Sequence, residues 1–210
     1  MRAAWYFDVI SPYAYLHFRQ FDRLPAGLEI EYVPVLFAGL LKAHGHKGPA
    51  EITEKRRHTY RMCVWLARQS GITMRFPPAH PFNPLHVLRL ITAAGATRAA
   101  VAAAFDVIWE RGQDPNAPPV FTELAARMGI ADPAAAIADP QVKQTLADNT
   151  ARALARGIYG VPTFDHNGQL FWGSDTLSLM QAFMADAQLF EQGEFARVDQ
   201  LPMAAMRREA

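Results

Sequence analysis

The stretch that decides the predicted fold is Trp5-Tyr6-Phe7-Asp8-Val9-Ile10-Ser11-Pro12-Tyr13-Ala14-Tyr15. Its first half is aromatic and apolar, a composition that is typical of β-strands. Ser11 is a preferred N-cap residue, and Pro12 suits the first helical position, where no backbone N–H is needed. The pattern therefore predicts a strand that ends at Ser11 and turns directly into a helix.

A strand-to-helix turn of this kind can hold an anion. The first N–H groups of the helix and the positive end of its dipole favour negative charge, such as that of a thiolate, and the Ser11 hydroxyl can donate a further hydrogen bond. The alternative is that Ser11 only caps its helix. The same cap-plus-proline pattern recurs at Asn83-Pro84, Asp132-Pro133 and Asp139-Pro140, and this repetition favours the alternative from the residues alone.

The composition is that of an ordinary globular protein. The chain has 210 residues, 50% of them hydrophobic and 20% charged, and its net charge is +1, so no overall field favours nucleic acid. It begins without the apolar core of a secretory signal and has no apolar stretch of membrane-spanning length, which predicts a cytoplasmic protein without a membrane partner. Cys63 is the single cysteine, so thiol chemistry within the chain would have to come from a ligand.

The first 35 residues predict a βαβ unit, with a helix over 12–24 and a second strand over 28–35, and hence parallel pairing. Helical patterns then occupy 37–156. Helices are expected over 51–70, over 93–109 with an interruption at Gly95, over 121–128 and over 139–156.

Strand patterns return at 161–165 and 170–172, joined by Asn167-Gly168, a typical hairpin turn. Ser174 is then expected to cap a helix that runs to about residue 187. The order βαβ, helical block, ββα predicts an α/β thioredoxin-like fold with an inserted all-helical domain. The predicted domains are 1–36 with 157–190, the insertion 37–156, and a C-terminal arm 191–210.

Val161-Pro162 opens the first strand of the hairpin, where a cis bond would turn the backbone of Val161 outward to pair with an extended, peptide-like ligand. In this topology the loop lies beside the first strand-to-helix turn. We therefore expect Val161 close to Ser11. The alternative is an edge-strand proline in an ordinary turn.

Five stretches of the sequence form a set of motifs. They are Phe7 to Tyr15, Lys47-Gly48-Pro49-Ala50-Glu51, Phe76-Pro77 with Pro81-Phe82-Asn83, Gly157 to Thr163, and Phe171-Trp172-Gly173-Ser174-Asp175. Together these motifs resemble the 2-hydroxychromene-2-carboxylate isomerase family, which is close to kappa-class glutathione transferases within the DsbA-like thioredoxin folds. The resemblance implies a homodimer with glutathione as cofactor.

By position, the resemblance makes Ser11 the catalytic residue that binds and activates the glutathione sulfur. Val161 would pair with the cysteinyl backbone, while Ser174 and Asp175 would take the γ-glutamyl end. The chain has Ser11-Pro12-Tyr13-Ala14 where disulfide oxidoreductases of this fold carry CxxC, so it resembles the glutathione users. The alternative for Ser174 and Asp175 is that they only begin a helix.

For the substrate, the resemblance implies contacts from Asn83, although Asn83 also makes sense as a helix cap. Lys42 and Lys47 belong to a basic concentration that suits a carboxylate, or simply forms a solvated surface. Glu51 stands where some family members have Asn. Trp172 is interpreted as core or hairpin packing and Cys63 as a buried structural thiol, and no His or Cys spacing indicates a metal site.

The predicted activity is the glutathione-dependent interconversion of a 2-hydroxychromene-2-carboxylate and a trans-o-hydroxybenzylidenepyruvate, an aromatic carboxylate. It would proceed by thiolate addition, bond rotation or ring opening, and thiol elimination. A kappa-like glutathione transferase or peroxidase is the alternative enzyme. A thioredoxin-fold protein that binds its ligand without catalysis is the alternative outside enzymes.

Overall fold

The computed structural model describes residues 1–205, so the last five residues of the predicted C-terminal arm lie outside the described part. One four-stranded sheet has the order β2-β1-β3-β4, with β1 at Arg2–Phe7, β2 at Glu29–Pro34, β3 at Thr163–His166 and β4 at Gln169–Trp172. β1 pairs with β2 in parallel and with β3 antiparallel, and β3 pairs with β4 antiparallel. The mixed thioredoxin-like sheet is therefore confirmed.

The predicted hairpin turn has the backbone that its residues favour. Asn167 and Gly168 both have positive φ, 47° and 81°, as a turn that follows the twist of two antiparallel strands requires. On the other side of β3, Tyr6 of the central strand pairs with both Val33 and Thr163. β1 therefore brings the start and the end of the chain into one sheet.

The first strand is shorter than predicted. It ends at Phe7 because the Asp8 side chain accepts a hydrogen bond from the backbone N–H of Ile10 at 3.0 Å, which bends the chain into a turn before Ser11. The following helix, α1, spans Pro12–Phe18, and Phe21–Arg23 is a separate 3-10 turn. The prediction of one helix to residue 24 was too long.

Every helix of the inserted block lies between β2 and β3. The bounds are α2 Phe37–Ala43, α3 Thr53–Gln69, α4 Leu85–Ala93, α5 Arg98–Phe105, α6 Pro118–Arg127, α7 Pro133–Ala138 and α8 Pro140–Ala155. α2 was not predicted individually, because Leu36 at its N-cap offers no capping side chain. The segment predicted as one helix over 93–109 divides into α5, capped by Thr97, and a π-helical turn at Asp106–Glu110.

The two faces of the sheet pack against different helices, as the alternation along β1 predicts. Trp5 and Phe7 stack at 4.7 Å in a large cluster that includes residues of α1, α3, α4, α5 and α9 (Leu177–Ala185). Tyr6 faces a smaller cluster with Val33 and Ala153. The large cluster contains residues of the sheet and of the inserted helices. The predicted insertion at 37–156 therefore shares one hydrophobic core with the rest of the chain.

The chain continues past α9 through a 3-10 turn at Leu189–Glu191 and a short helix, α10, at Gly193–Val198. Phe190 stacks on Phe183 of α9 at 5.1 Å, which holds the beginning of this segment against the body of the protein. Within residues 1–205, none of the helices has the length and apolar character that crossing a bilayer requires.

Candidate functional site

Ser11 lies where the first strand-to-helix turn meets the loop before β3. Its Oγ accepts a hydrogen bond from the Ala14 backbone N–H at 3.2 Å and lies 3.5 Å from the Val161 carbonyl oxygen, to which it donates. The side chain is nearly buried, since Ser11 is 7% exposed. Ser11 therefore caps α1 and also lies next to Val161, as the predicted topology requires.

The loop that carries Val161 is tightly packed. The Val161–Pro162 bond is cis, and the Thr163 hydroxyl donates to the Gly160 carbonyl at 2.8 Å. A Cβ at Gly160 would lie 2.5 Å from Trp172 Nε1. Trp172 is 50% exposed and packs against the ring of Tyr159 at 5.0 Å, so it supports the loop from the hairpin and is not a core residue.

Groups from distant parts of the chain hold the turn before Ser11. Trp109 Nε1 donates to the Val9 carbonyl at 2.8 Å, and His80 Nε2 lies 2.8 Å from the Ile10 carbonyl. Because a carbonyl oxygen only accepts, His80 carries its proton on Nε2. The Tyr60 hydroxyl lies 2.6 Å from Nδ1 and 2.8 Å from the His80 carbonyl oxygen, so these two acceptors share its proton. Burial lowers the pKa of His80, which keeps the ring neutral in this role.

The buried side chain of Asp8 also holds this turn. Its two carboxyl oxygens accept from the backbone N–H groups of Ile10 at 3.0 Å and Phe37 at 2.9 Å, and the residue is fully buried. Burial raises the pKa of Asp8 to about 7, and the two backbone hydrogen bonds oppose that increase. The carboxyl group ties the turn to the first residue of α2.

Asp175 is placed beside the Val161 loop by Gly173. The Gly173 N–H donates to the Pro162 carbonyl at 2.9 Å, and Gly173 has a φ of 101°. A Cβ there would lie 2.5 Å from Asp175 Oδ1, so the glycine leaves the space that this carboxylate occupies. Asp175 also contributes to the raised pKa of Tyr13, after burial and Cys63, which places its charge within electrostatic reach of the residue two positions beyond Ser11.

The prediction that Ser174 caps the helix after β4 was wrong. That helix begins at Leu177 with Thr176 at its N-cap position, and the Thr176 hydroxyl donates back to the Gly173 carbonyl at 3.0 Å. Ser174 and Asp175 instead belong to a turn between β4 and α9. Their side chains are therefore not required for starting the helix.

Ser174 and Asp175 line a cavity of about 200 Å³ between α1, α3 and α9. Ser11 and Val161 do not line this cavity. The hydrogen bond from the Gly173 N–H to the Pro162 carbonyl joins the loop of Val161 to the turn that carries Ser174 and Asp175. The other lining residues are Leu16, Gln20, Arg23, Leu66, Ser70, Leu177 and Ser178.

The only cysteine is not part of an exposed reactive site. Cys63 is fully buried on α3, and burial raises its pKa to about 12 despite a hydrogen bond with Tyr13. Burial and the neighbouring Cys63 also raise the pKa of Tyr13 to about 12. The prediction of a buried structural thiol is confirmed.

The residues predicted to contact substrate lie at the surface. Asn83 is exposed, and its Oδ1 accepts from the Leu85 N–H at 3.0 Å, at the start of α4. It follows His80 by three residues, so it is on the segment that contacts the Ser11 turn. Lys42 and Lys47 are exposed near the end of α2. Glu51 accepts from the Gly48 N–H at 2.5 Å and closes a 3-10 turn.

His80, Tyr60, Trp109 and Asp8 were not predicted as site residues. Asp8 and the Pro81-Phe82-Asn83 motif next to His80 stand within the quoted stretches, so a signal was present for these two. The contacts of Tyr60 and Trp109 join residues separated by 20 and 100 positions, and no local pattern indicates them.

The fold and the turn define a class of protein: a thioredoxin fold with an inserted helical block, in which a serine stands at the first strand-to-helix turn. The chain belongs to the family described as the DSBA-like thioredoxin domain, whose model matches residues 4–185.

Two relatives are similar to this chain over most of their own length. A 2-hydroxychromene-2-carboxylate isomerase of Pseudomonas putida is 26% identical over 188 residues, covering 86% of this chain and 92% of that protein. Glutathione S-transferase kappa 1 of Homo sapiens is 25% identical over 202 residues, covering 86% and 89%. A solved structure of a 2-hydroxychromene-2-carboxylate isomerase has a TM-score of 0.80 at 24% identity, covering 89% of this chain and 96% of that one, and shows the same fold.

Proposed function

We propose that this protein is a glutathione-dependent isomerase that interconverts 2-hydroxychromene-2-carboxylate and trans-o-hydroxybenzylidenepyruvate. The observation that carries the proposal is the contact of Ser11 Oγ with the Val161 carbonyl oxygen at 3.5 Å, at the start of α1. The similarity to the Pseudomonas putida isomerase supports the reaction. Ser11 is the proposed catalytic residue.

The residues present fit glutathione. Ser11 offers a hydroxyl donor, Val161 a backbone beside it, and Asp175 a carboxylate for an ammonium group, in the space that Gly173 leaves. Ser174 lies next to Asp175 in the same cavity lining. Bound glutathione would supply a nucleophilic thiol, and the proposed task of the chain is to hold that thiol as the thiolate.

The Ser11 hydroxyl is suited to this task because its present acceptor is distant. Its 3.5 Å contact with the Val161 carbonyl is longer than the usual O–H···O distance of about 2.7–2.8 Å, so the proton is available to a nearby sulfur. A hydrogen bond to a charged group contributes about 1.5–3 kcal/mol, which corresponds to lowering a thiol pKa by roughly one to two units from about 8.5.

The substrate side of the proposal rests on Asn83, Lys42 and Lys47, which would contact the carboxylate and polar groups of the aromatic substrate. All three residues are exposed, so a substrate can reach them. A homodimer and a cytoplasmic location complete the proposal, and light scattering of the purified protein tests the homodimer.

A kappa-like glutathione transferase or peroxidase is the second candidate, supported by the similarity to the human kappa enzyme. The two activities differ in stoichiometry, because a transferase or peroxidase consumes glutathione and an isomerase returns it unchanged. A thioredoxin-fold protein that binds a peptide or small acid without catalysis is the third candidate, and it predicts no turnover.

The test is the thiolate absorbance of glutathione near 240 nm, titrated with wild-type protein and with Ser11→Ala at neutral pH. Thr97→Ala is the matched control, because Thr97 caps α5 with the same 3.2 Å side-chain bond but lies away from Ser11 in the fold. We expect thiolate with the wild type and Thr97→Ala, and little with Ser11→Ala. Equal thiolate with Ser11→Ala would remove Ser11 from the proposed role.

A further inference from the structure

Two aromatic side chains are exposed together beside the loop that carries Val161. Tyr159 is 43% exposed and Trp172 is 50% exposed, and their ring centroids are 5.0 Å apart, so they form one surface, the aromatic pair. A single exposed apolar side chain is common and needs no explanation. Here two rings lie beside the loop whose Val161 carbonyl oxygen is 3.5 Å from Ser11 Oγ. The aromatic pair is therefore next to the proposed reactive position.

Gly160 fixes the place of the Trp172 ring. A Cβ at Gly160 would lie 2.5 Å from Trp172 Nε1 and 3.2 Å from Cε2, so a larger residue would displace the indole. The φ of Gly160 is outside the left-handed region, so its backbone conformation does not itself require glycine. The Thr163 hydroxyl donates to the Gly160 carbonyl at 2.8 Å, and Thr163 pairs with Trp172 across the hairpin. The indole thus rests on a backbone that β3 and β4 hold in place.

The aromatic pair lies on the other side of this loop from the cavity that Ser174 and Asp175 line. Side chains alternate along β4, where Phe171 packs in the large cluster and Leu170 packs against the smaller one. Trp172 is therefore on the face of Leu170. The cavity between α1, α3 and α9 is on the face of the large cluster. A ligand on the aromatic pair consequently leaves that cavity free.

We propose that the aromatic pair binds the fused benzene ring of the substrate and selects aromatic over saturated carboxylates. The inference rests on the proposed function and adds Tyr159 and Trp172 as specificity residues. Aromatic rings in stacked or edge-to-face contact attract each other beyond the effect of their buried area, so a flat aromatic ring is preferred to a saturated ring of similar size. Because the indole contacts Gly160 and Val161 follows Gly160, a substrate that reacts with a thiolate at Ser11 can extend its ring over the indole.

The experiment is calorimetric binding of two probes of equal charge in the presence of glutathione. The probes are 2-naphthoate and its saturated counterpart, trans-decahydro-2-naphthoate. Trp172→Leu and Tyr159→Leu each remove one ring and keep an apolar side chain, and Trp172→Phe is the conservative variant. Trp65→Leu is the matched control, because Trp65 is a 56% exposed tryptophan on α3.

We expect the wild type to bind 2-naphthoate about 10-fold more tightly than the saturated probe, and each leucine variant of the aromatic pair to lower this ratio to about two. Trp172→Phe should keep part of the ratio, and Trp65→Leu all of it. The KM for 2-hydroxychromene-2-carboxylate should rise in Trp172→Leu by the same factor as the affinity for 2-naphthoate falls, while the affinity for glutathione is unchanged.

An unchanged ratio in Trp172→Leu and Tyr159→Leu would overturn the role of the aromatic pair, whatever the activity. A Trp172→Leu variant that loses affinity for glutathione and keeps the ratio would overturn it as well. If the wild type prefers 2-naphthoate through the aromatic pair but does not isomerise 2-hydroxychromene-2-carboxylate, the proposed function fails and the aromatic binding site stands.

Discussion

His80 Nε2 donates a hydrogen bond to the carbonyl oxygen of Ile10 at 2.8 Å, and Ile10 is the residue directly before Ser11. The imidazole is held in turn by the Tyr60 hydroxyl at 2.6 Å. Side chains of the helical insertion thus form hydrogen bonds that hold the backbone of the strand-to-helix turn. His80 is a positioning residue in this arrangement, because it acts on the backbone that carries Ser11.

We expect His80→Ala to reduce the free energy of unfolding by about 1–3 kcal/mol, because the Ile10 carbonyl loses its partner in a partly buried position. It should also reduce the fraction of thiolate formed by bound glutathione. His80→Gln restores both in part, since an amide N–H can reach the same carbonyl. The measurements are urea unfolding and the absorbance near 240 nm.

The control for this prediction is His86→Ala, which changes an exposed histidine on α4. It should leave both the stability and the thiolate absorbance at wild-type values. If His80→Ala lowered stability and left the thiolate absorbance unchanged, His80 would have a structural role only.

Gly173→Ala should lower the affinity for glutathione in addition to lowering the free energy of unfolding. The new Cβ would lie 2.5 Å from Asp175 Oδ1, and the flexible carboxylate would move before the backbone does. Gly27→Ala is the matched control, because Gly27 also has a positive φ, 83°, but no neighbouring atom within 4 Å of the added Cβ. We expect both variants to lose stability from the backbone conformation and only Gly173→Ala to lose affinity, measured by calorimetry.

Asp8 and His17 should give opposite pH dependence to the stability. The pKa of Asp8 is raised by burial to about 7, so the folded state binds more protons than the unfolded state above the ordinary value of 3.8. Its contribution is present below pH 3.8 and is lost as the pH rises through 7. The pKa of His17 is lowered by burial to about 3, so its contribution is present above pH 6.5 and is lost as the pH falls through 3.

Between about pH 4 and 6.5 the two slopes, each about 1.4 kcal/mol per pH unit, should cancel in the wild type. Relative to wild type, Asp8→Asn should become more stable as the pH rises through this window, and His17→Gln less stable. Urea unfolding at several pH values measures the difference, and the comparison with wild type removes the contribution of other groups. Parallel curves for the three proteins would contradict the assignment.

Cys63 should react slowly with alkylating reagents in the folded protein. Its pKa is raised by burial to about 12, which reduces the thiolate fraction at pH 8 by about a thousandfold from that of an ordinary thiol. We expect rapid labelling in denaturant and very slow labelling without it, measured by mass spectrometry. Complete labelling of the native protein within minutes would show that α3 opens readily.

The sequence could predict the features that depend on local chemistry. Ser11-Pro12 and Asn167-Gly168 impose backbone conformations on their own neighbours, and from these the order of elements and the contact of Ser11 with Val161 followed. The assignment of Ser174 as a cap failed because Thr176, two residues later, stands at the N-cap position.

The supporting contacts of the site could not be predicted in the same way. His80 reaches Ile10 across 70 positions and Trp109 reaches Val9 across 100, and only the packed insertion brings these groups together. The cavity that Ser174 and Asp175 line likewise depends on how α1 and α9 lie against α3.

The pairing of β1 with β3 has a consequence for the protein while it is being made. The central strand β1 can pair with β3 only after β3 has been synthesised, and the paired residues lie more than 150 positions apart in the chain. At roughly 5–20 residues per second, a ribosome needs about 6 to 25 s to proceed from the end of β2 to Val161. During that time the aromatic residues of β1 have one strand beside them and an open edge on the other side. In the folded protein Trp5 and Phe7 pack in one cluster with residues of the inserted helices, so these helices, which are made before the hairpin, can cover the two rings until β3 and β4 are made.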